Sequence, residues 1–187
     1  RYFAVAQPSD VLIVGAGPAG LFAAFQLGLL GFKCRIVDAL DRAGGQCIEY
    51  YADKPIYDVP GRSVVTGQEL VCGLLEQLAP FEPQFSFNTV ARSLSASANG
   101  RWRVELSGGD AAQASAVVVA GGWGIIGPRT AGDDENPILN WEIGLADNVV
   151  PVDTATFQSR QPGIYVIGDM CSYSGKLRLI LSGFHEA

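Results

Sequence analysis

The strongest chemical signal in the sequence is Gly15-Ala16-Gly17-Pro18-Ala19-Gly20, three glycines in the spacing G-x-G-x-x-G. An apolar run at 10–14 precedes it, and a helical pattern through about Leu30, closed by Gly31, comes after it. In that setting the first glycine permits a tight turn and the second lets the backbone approach a pyrophosphate. The third lets helix and strand pack closely, while the free N–H groups of the helix start face the phosphate charge. An acidic residue about 20 positions further on is the usual partner of an adenosine ribose, and Asp38 stands there. A Gly-rich turn that binds nothing would explain the glycines but not the acid at that spacing.

A second carboxylate comes from Gly168-Asp169, at the end of an apolar strand pattern over 163–167. Open α/β sheets bind ligands at the carboxyl ends of their strands, so Asp169 is placed to hold a ligand hydroxyl. An Asp that only caps a turn accounts for this motif taken alone. The first glycine motif does not choose between FAD and a nicotinamide dinucleotide, since both present the same adenosine pyrophosphate. Another G-x-G-x-x-G, Gly122 to Gly127, stands after a strand but runs into Pro128 and a polar, acidic stretch that cannot be a long phosphate-facing helix. His185, the sole histidine, has no acid or nucleophile beside it in sequence and is assigned no catalytic role. Cys34, Cys47, Cys72 and Cys171 form no CxxC pair and no metal-ligand spacing, which fits a reduced, cytoplasmic interior without a metal centre.

The elements that must position these residues alternate strand and helix. The runs at 10–14 and 33–37 flank the first helix, giving a parallel βαβ unit. Residues 41–66 read as a long irregular excursion, the kind that is usually functional. Thr66 and Glu69 form a capping box for a helix over 67–78. Residues 85–87 with 89–94, and 101–106, alternate about Asn99-Gly100 as an antiparallel ribbon. Residues 116–120, 149–152 and 163–167 read as further strands, and a last helix is expected from about Lys176.

With 187 residues, 48% of them hydrophobic, the chain can bury one substantial core as a single domain, 1–187. Its net charge of −6 lacks the basic stripe of nucleic-acid binders, so nucleic acid is not expected as a partner. No stretch is long and apolar enough for a transmembrane helix, so no membrane is expected, and no basic-then-apolar leader is read at Arg1.

Together, Gly15-x-Gly17-Pro18-Ala19-Gly20, Gly44-Gly45-Gln46, the Ala120-Gly121 turn, Gly168-Asp169, Gly175-Lys176-Leu177 and Leu181-Ser182-Gly183-Phe184-x-Glu186-Ala187 resemble the thioredoxin-reductase-like ferredoxin (or flavodoxin)–NADP reductases. The resemblance covers residues 9–129 and 138–187. It implies an α/β, three-layer FAD domain of the glutathione-reductase type, a parallel sheet with helices and a small antiparallel addition. It implies that Gly15, Gly17, Pro18, Ala19 and Gly20 meet the pyrophosphate and that Asp38 meets the ribose. Gly45 and Gln46 would lie on the flavin side, with Tyr51 stacked on the isoalloxazine and Tyr57 a weaker candidate for the same face. The backbone near Ala91 would lie by the adenine, Ala120, Gly121, Ile126 and Gly168 near the cofactor, and Asp169 on the ribityl chain. The start of the last helix would face the pyrimidine edge of the flavin.

The implied activity is hydride transfer from NADPH to FAD, then single electrons to ferredoxin or flavodoxin. No catalytic side chain is needed, because the chemistry is the cofactor's. The family also implies a homodimer. The sequence departs from it in one respect: members insert an NADPH domain where this chain has only the short junction 130–137, so the reductant's own domain is not seen. Members also continue past Glu186-Ala187 with a segment that covers one flavin face, leaving that face open here. Two other readings stand beside the reductase: a flavin-carrying module without enzymatic activity, and a disulfide reductase, which the missing CxxC disfavours.

Overall fold

The computed structural model describes residues 9–122, 137–147 and 149–187. Val11–Val14 forms β1, Pro18–Leu29 α1 and Cys34–Val37 β2. The two strands pair in parallel with Val11 opposite Cys34, as a strand–helix–strand crossover requires. The excursion at 41–66 is not wholly irregular. It holds a single helical turn, α2 (Gln46–Glu49), and a small antiparallel pair, β3 (Pro55–Ile56) and β4 (Val65–Thr66). The expected capping box opens α3 (Gly67–Leu78): the Glu69 N–H donates to Thr66 Oγ1 at 3.2 Å, and the Thr66 N–H donates to the Glu69 carboxylate at 2.8 Å.

Past α3 the expected grouping of 85–87 with 89–94 is corrected. Gln84–Ser86 is β5 and joins β2 in parallel. Phe85 and Phe87 stack at 5.3 Å and pack on the helix side of the sheet, an apolar surface the separate ribbon cannot offer. The antiparallel ribbon is β6 (Ala91–Ala96), β7 (Trp102–Leu106) and a third strand the sequence did not reveal, β8 (Ala111–Ala114). After β9 (Ala116–Val119) and β10 (Val150–Pro151), the chain forms β11 (Ile164–Val166) and β12 (Cys171–Ser172), which pairs with β10. The last helix, α4, spans Ile180–Glu186 and so begins four residues later than expected. A turn at Gly175, φ +80°, and the inward side chain of Lys176 keep the intervening residues out of the helix. Ile126, the second glycine motif beyond Gly122, and the junction apart from Pro137 lie outside the described residues.

The main sheet runs β11-β9-β1-β2-β5 with every pairing parallel. Side chains alternate across a strand, and both faces of this sheet are covered. Leu12, Val14, Val117, Val119, Ile164 and Val166 enter one core with Val104, Leu106, Ala112 and Ala114 of the ribbon. Val11, Ile13, Ile36, Val118 and Ile167 enter the other, with Leu21 and Ala24 of α1 and Leu70, Val71, Leu74 and Leu78 of α3. The result is three layers: antiparallel ribbon, parallel sheet, helices. Among the described residues no helix is long and apolar enough to cross a membrane.

The seat of α1 on β1 is the tightest joint. A Cβ on Gly20 would lie 2.0 Å from the Gly15 carbonyl oxygen, and one on Gly15, at φ +110°, would lie 2.3 Å from the Ala120 carbonyl oxygen. Gly20→Ala must therefore push α1 off the sheet, at a cost of about 3 kcal/mol, whereas Thr66→Ala loses only a cap worth about 1 kcal/mol. Urea midpoints of the two variants against the parent check that order.

Candidate functional site

Four strands of the parallel sheet end at one edge, and the residues just past each of them line a single cavity of about 540 Å³. After β1 come Gly15, Gly17, Pro18 and Ala19; after β2, Asp38, Ala39 and Leu40; after β9, Ala120, Gly121 and Gly122; after β11, Gly168 and Asp169. Gly45, Gln46, Cys47, Glu49, Tyr50 and Tyr51 form a further wall from α2, and Arg178, Leu179, Ile180 and Gly183 another from the start of α4. Convergence at the carboxyl edge results from the parallel alignment, which sends every strand out on the same side.

At the glycine loop, Gly17 precedes Pro18 as the N-cap of α1 with φ −73° and ψ 178°, no side chain caps the helix, and no acidic residue stands in its first turn. The partial positive charge of a helix start is thus not offset by the helix itself. A Cβ on Gly17 would meet nothing within 4 Å and would project into the open space, the room an anionic group needs to reach the backbone. The loop is braced from two sides. The Ala16 N–H donates to Asp38 Oδ2 at 2.6 Å, and the Gly44 N–H donates to the Ala16 carbonyl at 2.9 Å. Gly45, whose Cβ would stand 3.1 Å from Gly17 Cα, closes down on the turn.

Asp38 also accepts the Leu40 N–H on Oδ1 at 2.8 Å. Burial raises its pKa above the ordinary carboxylate value, and the two N–H donors only partly offset that. Each oxygen keeps a second lone pair for a ligand hydroxyl. Gln46 sits over the turn after β9, its amide nitrogen 3.1 Å from where a Gly122 Cβ would lie. Tyr51 is half-buried on the cavity wall, its hydroxyl accepting from the Cys47 thiol at 3.5 Å. Burial raises the pKa of both groups, so phenol and thiol are uncharged at neutral pH.

Some residues fall elsewhere. Gly20 packs beneath the loop rather than lining the cavity. Ala91 is fully buried in the ribbon-side core, and Thr89, just before it, lines the cavity. Tyr57 is 72% exposed and does not line it. Sequence reasoning expected the start of the last helix at the cavity but missed Thr89, Leu40 and the residues by which the start of α4 lines it, Arg178, Leu179, Ile180 and Gly183. A signal existed for the last: Gly183 stands inside a helical pattern, and its Cβ would press on Ala19 Cβ at 3.1 Å, so that glycine lets α4 approach the start of α1. Among the described residues no cluster of His, Cys, Asp and Glu is arranged to hold a metal ion.

The geometry suits an elongated ligand with an anionic centre at the Gly17 turn and hydroxyls at Asp38 and Asp169. Known proteins resemble this chain in fold and in sequence. Residues 13–78 match the family model described as an NAD(P)-binding Rossmann-like domain. The solved structures it resembles include thioredoxin reductase from T. acidophilum, with a TM-score of 0.79 at 16% identity over 96% of this chain and 95% of that one. A ferredoxin-flavin thioredoxin reductase from Clostridium acetobutylicum gives 0.76 at 13% identity, covering 96% and 93%. At such identity these establish the fold. Among sequence relatives, the ferredoxin–NADP reductase of Parvibaculum lavamentivorans is 33% identical over 301 residues, covering 96% of this chain and 88% of the relative. That of Mesorhizobium japonicum is 31% identical over 300 residues, covering 95% and 88%. The chain belongs to the ferredoxin–NADP reductase family of oxidoreductases.

Proposed function

We propose that this cavity binds FAD and that the chain is the flavin-carrying part of an NADPH-dependent reductase of ferredoxin or flavodoxin. The observation that carries the reading is the convergence of the Gly15–Gly20 loop, Asp38 and Asp169 on one cavity at the carboxyl edge of the parallel sheet. The N–H groups at the start of α1 would take the pyrophosphate, and Asp38 the adenosine ribose, with Thr89 on the adenine side. Gln46, Tyr51 and Ile180 would enclose the flavin half, with Asp169 on its ribityl chain. The room beside Gly17 and the two outlying carboxylates fit that occupant. A bound flavin would supply the chemistry, taking up a hydride and releasing electrons singly. The chain's own part is to orient the ring, shield it on the Tyr51 side, and keep neighbouring groups uncharged. The family relation supports NADPH as the electron source.

A second reading has one observation in its favour. The alignment with the first relative spans 301 residues, more than a hundred beyond the 187 of this chain. We assign that excess to a nicotinamide domain inserted, in relatives, between the segments 1–129 and 138–187, with 130–137 as the short junction here. On that assignment the chain by itself is an FAD carrier that NADPH reduces slowly.

Purified chain reconstituted with FAD should show bound-flavin bands, and anaerobic NADPH should bleach them slowly. Rapid bleaching by the chain alone would overturn the carrier reading, and failure to take up FAD would overturn the site assignment. Gly17→Val should leave the urea midpoint within about 0.5 kcal/mol of the parent, since the backbone there suits any residue and the new atoms face open space, yet abolish FAD uptake. Affinity for FAD should fall as pH drops through the raised pKa of Asp38, because a protonated carboxyl loses an acceptor site. The Asp38→Asn variant should bind more weakly at neutral pH and lack that titration, measured by flavin fluorescence across pH 4 to 8, an interval on the order of the carboxylate range and above.

A further inference from the structure

Beneath the Gly168–Asp169 turn lies a buried ion pair. The side chain of Glu186, the last residue of α4, is 0% exposed and that of Lys176 8%, and the two are in direct contact. One Glu186 oxygen accepts the Gly168 N–H at 2.7 Å, and the other accepts the Tyr173 hydroxyl at 2.8 Å as well as the Lys176 ammonium. The ammonium donates in addition to the Gly168 carbonyl at 3.0 Å and to Cys171 Sγ at 3.4 Å, and lies over the Tyr173 ring. The pair thereby touches both backbone polar groups of Gly168, the acid its N–H and the base its carbonyl, which also accepts the Cys171 N–H. Ile167 makes the last ladder bond before this point, donating to the Val119 carbonyl at 3.0 Å.

Gly168 adopts φ +72°, a conformation glycine enters freely and leaves as freely. Without the pair, the turn would be tied by the Cys171 N–H, which donates to the Gly168 carbonyl, and the next residue would be less firmly placed at the cavity edge. A buried ion pair adds little net stability over an apolar pair of the same volume, so stability alone is a weak reason for two charges here. We propose that Lys176 and Glu186 are positioning residues: by fixing the Gly168 backbone from both sides they present the Asp169 carboxylate to the ligand. This rests on FAD as the occupant. The pair acts through Asp169 and touches no ligand itself.

A double-mutant cycle on the full chain tests it, with FAD dissociation constants from flavin fluorescence and thermal midpoints of the apo forms. Lys176→Met combined with Glu186→Gln keeps volume and one acceptor oxygen, so the apo midpoint should stay within a few degrees while FAD affinity falls about tenfold. In an Asp169→Asn background the same pair of changes should alter affinity less than about twofold. An equal loss in both backgrounds, or a lower midpoint with affinity unchanged, overturns the proposal in favour of a purely structural pair. Should that variant not fold, Tyr173→Phe removes one donor from Glu186 and should weaken FAD about threefold in the parent and not in Asp169→Asn; no loss, or the same loss in both, overturns it equally. A parent chain that takes up no FAD would instead bring down the proposed function.

Discussion

The whole site depends on how closely a helix start can be brought to a strand end. Only because Gly15 and Gly20 lack side chains does α1 reach the end of β1, and only then does its uncapped start stand at the carboxyl edge of the sheet. Asp38 completes the joint from β2. The same carboxylate that is available to a ribose ties down the loop through the Ala16 N–H, so binding group and brace are one residue. A loop so held needs little reorganisation when an anion arrives, which is where preorganised sites gain their affinity.

The second constraint is electrostatic. Asp38, Glu49 and Asp169 line a cavity whose proposed occupant carries two phosphate charges, and Arg178 is the cation among the described lining residues. Such a cavity accepts an anion only if the carboxylates stand away from the phosphates and backbone dipoles serve them instead. Strand ends provide that separation: Asp38 leaves β2 on one flank of β1, and Asp169 leaves β11 beyond β9 on the other, with the glycine loop between them.

Much of this is legible in the sequence because local physics and global fold agree. Strands β1, β9 and β11 are apolar on both faces and read as continuous runs, β2 is broken only by Arg35, and Thr66 with Glu69 announces α3. The elements that escape lack local signal. β8 is Ala-Ala-Gln-Ala, residues of poor strand propensity held by pairing with β7. Alternation groups β5 with the wrong neighbours because a period of two does not say which sheet a strand joins. The helix expected from Lys176 starts late because Lys176 has a tertiary partner ten residues on, a contact no propensity reports. The start of the last helix is expected at the site, but which of its residues line the cavity follows only from the packing of Gly183 on Ala19.

The topology also bears on how such a chain can vary. β9 and β11 are hydrogen-bonded neighbours, Val119 beside Val166, although the chain travels through many residues between them. The two strands close the same sheet whatever lies in that interval, and each doubling of an intervening loop costs only about 0.6 kcal/mol in closure entropy. A chain with a far longer interval could therefore share this sheet at nearly equal stability. The difference is paid in time: the longer the interval, the later β11 finds β9, and the longer an apolar sheet edge stands open to aggregation during folding.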